Sequence, residues 1–246
     1  MEVNMSPLIK GGRNTYGEAI GVIMVNKKKA RIPGDVGNAS TFDFPVRYQV
    51  VEEASTETHR RADRSLTVPF IEAAKNLEKE GVKAITTCCG FLAFFQKEIS
   101  DSVNIPVFTS SLLFLPMVCR MIRSDQKVGV ITAEAPFLDK RYFDAVGVDQ
   151  NLVVVAGMEN EPEFRRAVLD DEPSIDPDKM RRDIVKVAST LVAKHPEVGA
   201  IVLECTQLPP YARAVQEAVH LPVFDIITLT NMVYSALFRK DFVGTM

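Results

Sequence analysis

Cys89 and Cys205 occupy the same place in two copies of one segment. Residues 82–108 read VKAITTCCGFLAFFQKEISDSVNIPVF, and residues 198–224 read VGAIVLECTQLPPYARAVQEAVHLPVF. Nine positions are identical at a constant offset of 116: Val82/Val198, Ala84/Ala200, Ile85/Ile201, Cys89/Cys205, Leu92/Leu208, Val103/Val219, Pro106/Pro222, Val107/Val223 and Phe108/Phe224. Each cysteine ends a short apolar run, and a proline follows it 17 residues later. A duplicated half brings a rotation axis, and an axis can set two equivalent thiols face to face. Such a pair suits one reaction. One sulfur, as thiolate, removes a proton from carbon, and the other, as thiol, returns a proton to the opposite face. A stereocentre is then inverted without metal, pyridoxal or nicotinamide, so no cofactor is expected.

A lone cysteine at a buried strand end ordinarily acts as a small hydrophobe. Repetition at matched positions sets Cys89 and Cys205 apart from that case. Cys88 points to the other side of its strand and reads as core, and Cys119, in an apolar helical stretch, reads the same way. Each paired cysteine sits where a strand gives way to a helix. The carboxyl ends of parallel strands are where open α/β sheets bind ligands. A helix N-terminus favours anions and lowers a thiol pKa from about 8.5. The backbone N–H groups of Gly90, Phe91, Thr206 and Gln207 are therefore candidate donors to a substrate carboxylate, with the Thr206 hydroxyl beside them. Weaker candidates at the same edge are Ser110, Ser111 and Thr132. Asn38 and Thr41 could reach the cleft from a long loop. Arg47 is expected to face outward near Glu52 or Glu53.

The elements that must position these groups follow from the apolar pattern. Continuous apolar runs at 20–25, 46–51, 83–87, 106–108, 127–132, 152–156, 199–203 and 222–225 predict parallel strands covered on both faces. Helices are predicted over 66–80, 91–103, 111–123, 136–146, 162–170, 177–194, 210–219 and 228–239. Gly81 ends the first, and Asp176-Pro177 starts the sixth. Pro116 implies either a kink or a late start within 111–123. The alternation predicts an α/β protein of two pseudo-symmetric lobes, each a small parallel sheet flanked by helices, with the active site in the cleft between them. Two loops, 26–45 and 157–176, are too long for simple connectors, and such loops often cover a ligand.

Composition excludes several function classes. The 246 residues carry a net charge of -3, so no basic field points to nucleic acid or an anionic membrane. Lys27, Lys28 and Lys29 read as a solvated loop. No apolar run approaches the roughly 18–20 residues of a membrane span, and MEVNMSPLIKGGRN lacks a signal-peptide core. A cytoplasmic protein is expected. Its four cysteines lack CxxC spacing, and its three histidines (His59, His195, His220) stand far from them, so no metal site is expected.

The two-lobe repeat, Cys89 at the end of AITTCC and the segment ECTQLPPY at 204–211 resemble the cofactor-independent aspartate/glutamate racemase superfamily. That superfamily includes hydantoin racemases, maleate isomerase and arylmalonate decarboxylase. Cys205-Thr206-Gln207-Leu208-Pro209 fits its second motif, and the resemblance covers most of residues 20 to 235. It implies an N-terminal lobe of 1–112 plus 225–246 carrying Cys89, a C-terminal lobe of 113–224 carrying Cys205, and a homodimer. It also implies a racemase or epimerase of a small carboxylate compound, such as an amino acid or a hydantoin. Two departures bear on the substrate. Members of the family usually follow the first cysteine with Asn-Thr, where this chain has Gly90-Phe91, and Glu204 stands where glycine is common. Glu204 either adds a carboxylate to the cleft or turns into a helix-packed layer with a polar partner, and the second is preferred. Two alternatives stay open. One cysteine could act as nucleophile in cis–trans isomerisation or decarboxylation of a dicarboxylate, or the chain could be a non-catalytic small-molecule-binding relative.

Overall fold

Two four-stranded parallel sheets with the same strand order form the frame. The computed structural model describes residues 11–54 and 63–245; residues 1–10, His59 and its neighbours, and Met246 lie outside. The first sheet contains β1 (Ile20–Val25), β2 (Val46–Val51), β3 (Ala84–Thr87) and β4 (Val107–Phe108), in the order β2-β1-β3-β4. The second contains β5 (Lys127–Thr132), β6 (Val153–Gly157), β7 (Val198–Leu203) and β8 (Val223–Phe224), in the order β6-β5-β7-β8. All pairings are parallel. The continuous apolar runs are explained by burial on both faces: all six residues of β1 are buried.

The duplication reaches into packing detail. Gly21 in β1 and Gly129 in β5 hold equivalent places, one pairing with Ile85 and the other with Ile201. A Cβ on Gly21 would stand 2.9 Å from Leu77, and one on Gly129 would stand 2.9 Å from Leu191. Those leucines come from the two long helices, Thr67–Glu80 and Pro177–Lys194, which press one apolar face on their sheets. The first helix ends at Gly81, whose φ of 96° is the left-handed conformation that glycine adopts without strain. The second starts at Asp176, whose carboxylate accepts the Asp178 and Lys179 N–H groups, with Pro177 at the first position.

The helices that follow the strand ends are shorter than their apolar pattern predicts. The stretch 91–103 begins as a 3₁₀ turn, Gly90–Phe95, and becomes α-helical only over Gln96–Ser100. The stretch 210–219 begins as Pro209–Tyr211 and continues as Ala212–Val219. Pro116 marks a late start: Ser111–Phe114 is 3₁₀ and the α-helix is Leu115–Met121, with the proline where its missing N–H costs nothing. Residues 162–170 form one α turn followed by a π turn, Arg165–Leu169. Arg47 faces Glu18 and Glu80 at 3.3 and 3.6 Å, not Glu52 or Glu53.

The final helix, Ile226–Leu237, stacks Tyr234 on Phe44, with ring centroids 3.7 Å apart. Among the described residues no helix is long and apolar enough to cross a membrane, and no group of three or more His, Cys, Asp or Glu could hold a metal ion.

Candidate active site

The ends of β3 and β7 bring the two cysteine turns together. The Thr206 hydroxyl donates to the Cys88 carbonyl at 2.5 Å. The Ser111 hydroxyl donates to the Leu203 carbonyl at 2.7 Å. A Cβ on Gly90 would fall 2.3 Å from the Glu204 carbonyl oxygen and 2.2 Å from its Oε1, so only glycine fits there. Between the turns lies a cavity of about 390 Å³, mouth included. It is lined by Cys88-Cys89-Gly90-Phe91 from one turn and Glu204-Cys205-Thr206-Gln207 from the other.

Both long loops also reach the cavity. Lys27 and Lys29 enter from the loop after β1, and Val168 and Leu169 enter from the π turn after β6. The first loop is folded by Asp35, which accepts from the Arg31 guanidinium at 2.8 Å and from the Gly37 N–H at 2.7 Å. Gly34, at φ 98°, lies so close to Pro210 that a Cβ would stand 2.8 Å from its Cα. The first loop thus leans on the second cysteine segment, and Lys29 is only 8% exposed. This corrects the solvated reading for Lys27 and Lys29, whereas Lys28 is exposed. An isolated run of three lysines carries no sign that Asp35 will fold it over a cleft.

Glu204 is a second correction. It is 1% exposed, lines the cavity and accepts from the Thr132 hydroxyl at 2.7 Å through Oε2. Its Oε1 has no hydrogen-bond partner. Thr132 thus reaches the site through Glu204. Asn38 and Ser110 serve local structure instead. Asn38 caps Ala39–Thr41 and donates to the Arg31 carbonyl at 2.9 Å, and Ser110 caps Ser111–Phe114. Neither side chain lines the cavity. The Thr41 hydroxyl bonds to Asp35 and Gly34 within its loop. Cys88 is buried and accepts the Val25 N–H at 3.1 Å, yet it also touches the cavity. Cys119 is only partly buried.

The thiols do not have depressed pKa values. Burial lifts Cys89 far above an ordinary thiol, and Glu204 and Cys88 lift it further. Cys205 is pushed up to about 12 by burial and then by Glu204, while Lys29 and the Gln207 N–H pull it down. The expected helix dipole fails because neither cysteine opens an α-helix directly: a 3₁₀ turn follows Cys89, and the helix after Cys205 starts at Ala212. Burial also pushes Glu204 up to about 7 and pulls Lys29 down to about 8, with Lys27 and Arg31 adding to the latter. Cys205 further donates to the Gln207 side-chain oxygen at 3.3 Å. Phe91 meets Tyr142 edge-on at 5.4 Å and closes the first turn with an aromatic wall.

Comparison with known proteins agrees with this geometry. A family model described as Asp/Glu/Hydantoin racemase matches residues 45–231. A dimethylsulfoniopropionate lyase of Durusdinium sp. clade D is 36% identical over 218 residues, covering 85% of this chain and 71% of that protein. Dimethylsulfoniopropionate lyase 3 of Emiliania huxleyi is 33% identical over 230 residues, covering 89% of this chain and 60% of its own length. Among solved structures, an arylmalonate decarboxylase matches with a TM-score of 0.61 at 14% identity, over 89% of this chain and 92% of that one. A glutamate racemase from Bacillus anthracis matches with a TM-score of 0.61 at 16% identity, over 89% and 81%. These structures share the two-sheet architecture, and the family model spans β2 to β8. The chain belongs to the Asp/Glu/hydantoin racemase family.

Proposed function

We propose that this protein is a cofactor-independent lyase that removes an α-proton from a small carboxylate and expels a β substituent, with dimethylsulfoniopropionate as the substrate. The observation that carries the reading is that Cys205 and the buried cation Lys29 line one cavity, where Lys29 acts on the thiol. The similarity to dimethylsulfoniopropionate lyases over most of the chain supports this substrate over an amino acid. So does Gly90-Phe91, which supplies no polar side chains for an amino group.

Lys29 binds the substrate carboxylate and disperses the charge that develops toward it, which makes the α-proton more acidic. The Cys205 thiolate takes that proton. A thiolate in a buried site is scarce but strongly basic, which suits a carbon acid. The C–H electron pair becomes the new C=C bond, and the C–S pair departs with the sulfur. The products are acrylate, neutral dimethyl sulfide and the proton held on Cys205, which is later returned to water. The leaving group needs no acid, so one thiol suffices, and Cys89 shapes the cavity.

Racemisation is the second reading, favoured by the presence of thiols in both turns of one cavity. A single experiment separates the two. The protein is incubated in deuterated water with dimethylsulfoniopropionate and, separately, with aspartate, glutamate and a hydantoin. The lyase reading predicts dimethyl sulfide and acrylate, with no α-deuteration of the amino acids or the hydantoin. α-Deuteration of those compounds without dimethyl sulfide would establish the racemase instead. The same proposal keeps residues 1–112 with 225–246 as one lobe and 113–224 as the other, supported by the Phe44–Tyr234 stack.

A further inference from the structure

We propose that Glu204 selects substrates that carry a positive charge on the β substituent, by holding that onium group against its free carboxylate oxygen. The inference rests on the lyase reading and deepens it.

Glu204 is part of the cavity wall, and its Oε1 is buried without a hydrogen-bond partner. Such an atom is costly unless something bound there compensates it. An onium group has no N–H or O–H to donate, so it is recognised by charge and by aromatic faces rather than by hydrogen bonds. Glu204 offers the charge, and Phe91 offers an aromatic surface in the same wall. The carboxylate is also held in place. Thr132 donates to Oε2 at 2.7 Å, and Oε1 fills the space beside Gly90 that a Cβ would occupy.

The cavity therefore has two poles. Cys205 senses Lys29 and Glu204 together, whereas Glu204 is shifted only by burial, Thr132 and Ala133. Lys29, Cys205 and Glu204 line the same cavity, so a cationic and an anionic residue both act on the thiol. A β-onium carboxylate has the complementary order: carboxylate, α-carbon, β-carbon, cation. Its α-carbon falls at the thiol when its two ends meet the two poles. A cation at Glu204 also offsets the negative field that opposes thiolate formation at Cys205, so the charge that gives selectivity assists the base. Glutamate and aspartate carry a second carboxylate where this substrate carries its cation, and Glu204 repels it.

The test uses two unreactive compounds of the same shape. 3-(Trimethylammonio)propionate carries the cation, and 4,4-dimethylpentanoate is its uncharged isostere. Inhibition constants for each are measured against dimethylsulfoniopropionate cleavage, in the wild type and in Glu204→Gln and Glu204→Asp. The wild type is expected to bind the onium compound at least about tenfold more tightly than the isostere. Glu204→Gln should bring that ratio close to one by weakening only the onium compound, and Glu204→Asp should keep part of it. A wild-type ratio near one overturns the inference, as does an unchanged ratio in Glu204→Gln. Equal weakening of both compounds in Glu204→Gln would indicate a packing role and overturn it too. A wild type that releases no dimethyl sulfide fails the lyase reading itself, which is a separate result.

Discussion

The turn 88–91 and the turn 204–207 are the same piece of chain used for different work. Both follow the third strand of a sheet with the same order, and both put a cysteine on one cavity. The first turn is Cys-Cys-Gly-Phe, with an aromatic wall backed by Tyr142. The second is Glu-Cys-Thr-Gln, with a carboxylate, a hydroxyl tied to Cys88 and an amide that contacts the thiol. Lys29 and Lys27 both pull Cys205 down, and Lys27 pulls Cys89 down. Symmetry thus places two thiols, and the lyase proposal makes Cys205 the base because of the residues around it. Duplication builds the frame, and the flanking residues of the two turns diverge.

The largest test of this inequality is the pair of serine variants. Cys205→Ser should lower the rate of dimethyl sulfide release by about 10³–10⁴-fold, the upper range for a general base. Cys89→Ser should cost about tenfold or less. Equal losses would restore the symmetric, two-base picture. Lys29→Met comes next. Removing a buried charged hydrogen-bond donor to the substrate should cost about 2–3 kcal/mol in kcat/KM, or about 30–150-fold, with the circular dichroism spectrum unchanged.

Much of this frame was legible in the chain. The strands are continuous apolar runs because they are buried on both faces, and such runs stand out in any sequence. The cysteine pair stood out because a repeat marks both positions at once. Lys29 and Glu204 did not. A lysine beside two other lysines looks solvated until Asp35 and Gly34 fold its loop onto Pro210. Glu204 lies just past the end of β7, where strand alternation no longer says which way a side chain points. The dipole argument failed for a related reason. Apolar spacing reveals that a helix will form, but not that its first turn will be 3₁₀.

Two smaller effects sharpen the contrast between the turns. Gly90→Ala sets a methyl against the Glu204 backbone and should destabilise the fold by about 1–3 kcal/mol, read as a lowered denaturation midpoint. At the equivalent second-turn position, Thr206→Val removes two hydrogen bonds, to the Cys88 carbonyl and from the Gln207 amide, and should cost about 2 kcal/mol. Glu204→Gln should act on stability through pH. Burial raises the folded-state pKa of Glu204 to about 7 from its ordinary value of 4.5. Wild-type stability is then fully present below 4.5 and falls as pH rises toward 7, because the unfolded chain ionises first. The glutamine variant escapes this loss. It should match the wild type near pH 4 and exceed it above pH 7 by an amount on the order of 1–3 kcal/mol. Thermal melts at the two pH values check the sign.

The most direct test of the account follows the α-carbon bond itself. Dimethylsulfoniopropionate bearing two deuterons on its α-carbon is compared with the unlabelled compound, with wild-type protein at saturating substrate. The account predicts acrylate and dimethyl sulfide in equal amounts, acrylate that has lost one α-deuteron, and slower release from the deuterated substrate. Exchange of the α-deuterons for solvent protons with no dimethyl sulfide released would contradict it and return both cysteines to equal roles.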